Sequence, residues 1–233
     1  MRSLLIALAA AVLAIGCAVA GRLFINERRV RRSRYARGVI EHLEDSTSVD
    51  AATGAVRSVQ RADLLIDEDA LAEIWTPTHL ERLARTYWRF LTRATLGLIR
   101  VRYTEAERSV VLLFSPFRLL TFQAPEYEMD ATHGLVRWRI ARGLLVARRG
   151  RNGRGYLQID VRRDPSPDPE RGKLHVEVEV ANFYPSIASG LGLALYNATQ
   201  SRIHVIVTYG FLRSLARLDL AESRVGRFRE GAI

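Results

Sequence analysis

Cysteine is nearly missing from this chain of 233 residues. Cys17 stands alone, so no intrachain disulfide forms and no thiolate cluster binds a metal. Nothing in cysteine usage points to an oxidising compartment. Histidine is scarce and scattered, at His42, His79, His133, His175 and His204, with no HxxxH spacing to suggest a zinc site. No G-x-S-x-G elbow occurs, and the glycines of Gly150–Gly155 lack the spacings that cradle a phosphate. No catalytic residue set and no cofactor emerge from these patterns. Lysine occurs once, at Lys173, among 35 basic residues. Arginine used this uniformly reflects a GC-rich coding bias, so individual arginines are not read as chosen for bidentate phosphate contact.

The formal net charge of +10 is local. Seven arginines against one glutamate lie between Arg22 and Arg37, and the rest of the chain is close to neutral. No basic strand interleaved with aromatics follows, which argues against a nucleic-acid partner.

Ahead of that block, Leu4–Ala20 is seventeen residues long and uncharged. At about 1.5 Å rise per residue it sits at the short end of what spans a bilayer. It reads as a transmembrane anchor, as a cleavable signal peptide, or as a lipoprotein signal in which Cys17 is acylated, since Leu13–Cys17 loosely resembles a lipobox. Positive charge gathers on the cytoplasmic side of a membrane segment. Here it follows the apolar run at once, which favours a single-pass anchor with the C-terminal domain in the cytoplasm; export as a lipoprotein is the alternative. Arg22–Leu43 continues as a basic helix along the headgroups. Its Arg28, Arg29, Arg31, Arg32 and Arg34 are membrane-surface residues, each drawn to anionic lipid by about 1 kcal/mol. The competing reading makes the block a topology determinant only.

Asp45–Ala55 is small and polar without a period, and reads as a linker. The expected division is an anchor at 1–21, a basic helix and linker at 22–60, a folded domain at 61–220 and a tail at 221–233. Within the domain, Ala62–Ile66 suggests a first strand. Asp67, Glu68 and Asp69 place carboxylates at a helix N-terminus. Thr76-Pro77 opens a second helix that Gly97 ends. From Leu98 the period shifts from about 3.6 to 2. Strands are expected around Ile99–Tyr103, Val110–Phe114, Leu119–Phe122, Val136–Ile140, Leu157–Val161 and Leu174–Val180. Their connections are too short for crossover helices, so the sheet is antiparallel. Glu177 and Glu179 fall on its wet face, set to pair with arginines of neighbouring strands. Beyond Pro185, Tyr196, Ile203, Val207, Phe211, Leu215 and Leu218 keep helical spacing, with Gln200 and His204 on the same stripe.

This order of elements, with Gly134–Ile140, Gly155–Val161 and Thr199–His204 as local texture, resembles the helix-grip fold of the START-like (SRPBCC) superfamily. The resemblance covers about Asp63 to Leu220. It implies an α+β domain in which a curved antiparallel sheet of about six or seven strands wraps a long C-terminal helix. In this chain a transmembrane helix precedes it. The whole chain is also similar to membrane-anchored actinobacterial proteins, which carries no function with it. The resemblance further implies a cavity between sheet and helix for an apolar ligand. Tyr103 and Trp138 on the strands, and Tyr196, Gln200 and His204 on the helix, are the candidate contacts. Tyr103 and Trp138 are more often core filler than ligand contacts, and His204 is more often a satisfied half-buried histidine than a base.

Three functions follow. The first is a membrane-anchored, non-enzymatic domain whose partners are membrane lipids or a hydrophobic small molecule. The second is a membrane-tethered scaffold with a filled core, its protein partner open. The third is a cyclase-like or hydrolase-like enzyme using His204 with a carboxylate. Fold alone does not separate them.

Overall fold

Alternation in the sequence becomes a nine-stranded antiparallel sheet in the computed structural model, which describes residues 38–95, 97–112, 118–151, 154–185, 208, 210–217 and 220. Strands β1 (Gly38–Val49) and β2 (Val56–Asp67) form a hairpin. Helices α1 (Glu68–Ile74) and α2 (Pro77–Ala94) follow. Then come β3 (Ile99–Tyr103), β4 (Glu107–Leu112), β5 (Arg118–Gln123), β6 (Glu126–Met129), β7 (His133–Arg142), β8 (Tyr156–Asp164) and β9 (Arg171–Phe183). The order across the sheet is β1-β2-β9-β8-β7-β5-β4-β3, with β6 paired to β7. Residues 210–216 are helical and their side chains close the core.

Local chemistry accounts for the helix ends. Glu68 and Asp69 occupy the first turn of α1, where the helix dipole favours carboxylates. Thr76 caps α2 by accepting from the His79 amide at 3.3 Å, with Pro77 at the first helical position. Gly97, at φ 79°, takes the left-handed conformation that ends α2.

Pleating divides the strands into two faces. Leu64, Val136, Trp138, Ile159, Leu174, Val176 and Val178 turn inward and are buried with Leu83, Tyr87 and Trp88 of α2 and with Phe211, Leu212 and Leu215. The other face is laced with ion pairs, as its alternation implied. Arg57 Nε lies 2.7 Å from Glu179 Oε1, and Arg61 Nε lies 2.5 Å from Glu177 Oε2.

Two expectations are corrected. The stretch 45–55 is not a linker, and the residues from Gly38 to Leu43 are not helix. Gly38–Val49 is an edge strand that pairs with β2 almost along its length. The Asp50 carboxylate accepts from the Ala52 and Thr53 amides, and Gly54, at φ 66°, completes the turn. An edge strand wet on both faces carries no hydrophobic period, so backbone pairing, rather than burial, defines it. Among the described residues the strands number nine rather than six or seven, because β1 and the four-residue β6 were not anticipated. The apolar run at 4–20 and the arginine block lie outside the described residues. Among the described residues, no helix is long and apolar enough to cross a membrane.

Candidate functional site

The seam between the helices and one end of the sheet holds a half-open apolar pocket. Leu71 and Ile74 of α1 form one wall, and Trp75, His79, Leu80 and Leu83 a second. Met129, Gly134, Val161 and Leu174 supply the floor from four strands, and Leu215 and Leu220 close the C-terminal side. Its volume is about 30 Å³, room for about one water.

Each polar group on this wall is already engaged. Trp75 sits immediately before the cap of α2, and Leu80 at its fourth position, the pairing known as a hydrophobic staple. The Trp75 indole donates to the Asp130 carbonyl at 2.9 Å, and the Arg163 guanidinium lies 5.7 Å from its ring. His79 Nδ1 is 2.8 Å from Thr76 Oγ1, and its Nε2 is 3.0 Å from Arg82. Burial, and then the charge of Arg82, lower the His79 pKa below its ordinary value. The imidazole is therefore neutral at pH 7 and the wall uncharged. Gly134 leaves the floor open: a Cβ there would meet Leu80 at 3.5 Å, ordinary contact.

Of the residues expected to touch ligand, Trp138 and Tyr103 do not line this pocket. Trp138 is 1% exposed and packs edge-on against Trp88, with ring centroids 5.1 Å apart. Trp88 in turn meets Phe122 at 5.4 Å, and Tyr87 meets Phe211 at 6.0 Å, so aromatic rings fill the centre of the domain. Tyr103 is half-buried, with the guanidinium groups of Arg85 and Arg108 each 5.2 Å from its ring centre. Tyr196, Gln200 and His204 lie outside the described residues, as do Arg28, Arg29, Arg31, Arg32 and Arg34. The lining residues Leu71, Trp75, His79 and Met129 were not singled out from sequence. The legible signal was an aromatic residue just before the Thr76-Pro77 helix start. Met129 carried no such signal, because a four-residue strand has too short a period to read.

No protein-family model matches the sequence, and no curated protein matches it. Solved structures similar to the chain include the human StAR-related lipid transfer protein 5. That match has 10% identity and a TM-score of 0.33, and covers 90% of this chain and 99% of that one. A StAR-related lipid transfer protein fragment from Xanthomonas axonopodis is similar at 14% identity and a TM-score of 0.26, covering 74% and 98% of the two chains. CalU16 from Micromonospora echinospora is similar at 9% identity and a TM-score of 0.24, covering 76% and 99%. Likenesses at these scores carry no weight for the ligand. The α+β class rests on the strand order and helices described above.

Proposed function

We propose that this chain is a membrane-anchored, non-enzymatic START-like domain that binds a lipid or another hydrophobic molecule between its sheet and helices. The observation that carries this reading is the half-open apolar pocket with a neutral histidine in its wall. Sites for apolar ligands are built from such walls with a few placed polar groups. A volume of about 30 Å³ is too small for an acyl chain. Uptake therefore requires a wall to move, and α1 is the wall best suited to it. It is seven residues long and has no side-chain cap at its N-terminus. Tyr196, Gln200 and His204, in the stretch leading to the helix at 210–216, are the proposed polar contacts on the C-terminal side.

The apolar run at 4–20, followed by the arginine block, supports an anchor with the domain in the cytoplasm. Where the domain begins supports a pocket that faces the anchor. Gly38 pairs with Ile66 and packs on the Ala216 carbonyl, at the end of the sheet that holds Leu215 and Leu220. The Arg148–Arg151 loop is at the other end, with Arg149 against Gly54, roughly 33 Å along β2 at ~3.3 Å per residue.

Titration with a fluorescent fatty acid tests the pocket. Uptake that falls in Gly134→Val, a variant that fills the floor, supports the reading. Uptake unchanged in a folded Gly134→Val protein places the ligand elsewhere. The filled aromatic centre favours the scaffold as the second reading. That reading predicts no uptake by the parent protein and self-association or partner capture instead.

A further inference from the structure

On the outer face of the sheet, away from the pocket, four strands bring titratable side chains to one point. Asp63 of β2 faces His175 of β9 across the ladder, and Asp164 of β8 faces Lys173 of β9 beside them. His175 Nδ1 lies 2.8 Å from Asp63 Oδ1. The other oxygen, Oδ2, has Lys173 Nζ at 3.1 Å and His42 Nδ1 at 3.2 Å. His42 reaches it from β1, at a bulge where its φ is 47°. One ligand atom each from Asp63, Asp164 and His175 falls within 4.8 Å of the other two, and all three residues are half-buried.

We propose that Asp63, Asp164 and His175 form a binding site for a divalent transition-metal cation, Zn²⁺ in the first instance. One imidazole nitrogen and two carboxylates give the ligand set and charge that such an ion takes, with water completing the shell. Asp164 makes no side-chain hydrogen bond among the described residues and meets the Lys173 ammonium opposite it through charge, so its carboxylate oxygens are available to the ion. Lys173 and His42 hold Asp63 Oδ2 and orient the carboxylate as outer partners do in metal sites, while Oδ1 faces His175.

The identity of residue 173 fits this arrangement. It is the one lysine among 35 basic residues. An arginine fork would take both carboxylate oxygens, whereas an ammonium is a compact charge that leaves Oδ1 free. A bound ion would tie β2, β8 and β9 together on the face opposite the core, independently of whether the pocket takes a ligand.

Isothermal titration of the full chain in detergent with ZnCl₂ tests the site. Saturable binding of one ion per chain is expected, weakened about tenfold or more in Asp164→Asn and in His175→Ala. Lys173→Met, which removes an outer partner of the Asp63 carboxylate, is expected to weaken binding as well. Melting without metal verifies that each variant is folded. Co²⁺ is expected to give visible d–d absorption in the parent and lose it in Asp164→Asn. No saturable heat with the parent chain overturns the proposal. So does binding in which folded Asp164→Asn and His175→Ala match the parent.

Discussion

At the scale of single residues, the pocket and the core behave differently under substitution. Leu71 is fully buried on the inner side of α1, and Leu71→Ala is expected to cost about 2–5 kcal/mol, read as a lowered midpoint in urea. The same change enlarges the pocket, so fatty-acid uptake by the folded fraction should rise. Gly134→Ala goes the other way. Its methyl meets only ordinary contacts, and loss of backbone freedom in the unfolded chain favours folding by about 0.4–1 kcal/mol. A melting temperature clearly below the parent's would contradict that. Gly210 has no such room, because a Cβ there would fall 2.4 Å from the Phe90 ring. Gly210→Ala should cost about 1–3 kcal/mol by forcing the C-terminal helix off α2. His79 supplies a pH dependence. Burial depresses its folded pKa below the ordinary 6.5, so the unfolded chain takes up this proton first on acidification. The stability this residue gives is present above about pH 6.5 and declines as pH falls toward the folded value. His79→Gln should flatten that part of a stability profile measured by urea denaturation.

At the scale of elements, the hairpin β1–β2 opens the described part of the sheet. A fragment beginning at Arg61 cuts β2 in its middle and removes its partner β1. It is expected to aggregate or melt without cooperativity, whereas a fragment beginning at Gly38 melts in one transition; calorimetry distinguishes them. The sequence pattern revealed the elements that bury one face. Val176 and Val178 against Glu177 and Glu179 made β9 readable, and Thr76-Pro77 announced α2. It did not reveal β1, whose Ser46, Thr47 and Ser48 face water and are held by main-chain pairing with β2. The pocket was less readable than the fold. Inward position alone marked Trp138 as a candidate. Whether an inward ring meets ligand or another ring depends on what α2 brings opposite, and α2 brings Trp88. The metal-binding cluster was invisible for a related reason. Asp63 is far in the chain from Asp164 and His175, and the three converge only through strand register.

At the scale of the whole molecule, the proposed anchor and the pocket are linked by the position of β1. The chain enters the sheet at Gly38, beside Ala216, at the pocket end. Under the proposed anchoring, such a domain would draw the proposed ligand from the adjoining bilayer. The proposed topology predicts that protease added outside intact cells leaves the domain whole and that lysis exposes it; cleavage before lysis would place the domain outside. The most direct test of ligand binding is native mass spectrometry of residues 38–233, purified without detergent, followed by organic extraction. Lipid-sized mass, reproducible in identity and released on denaturation, is the expected result. A clean protein mass that stays unchanged after incubation with liposomes would contradict ligand binding and turn the interpretation to a scaffold.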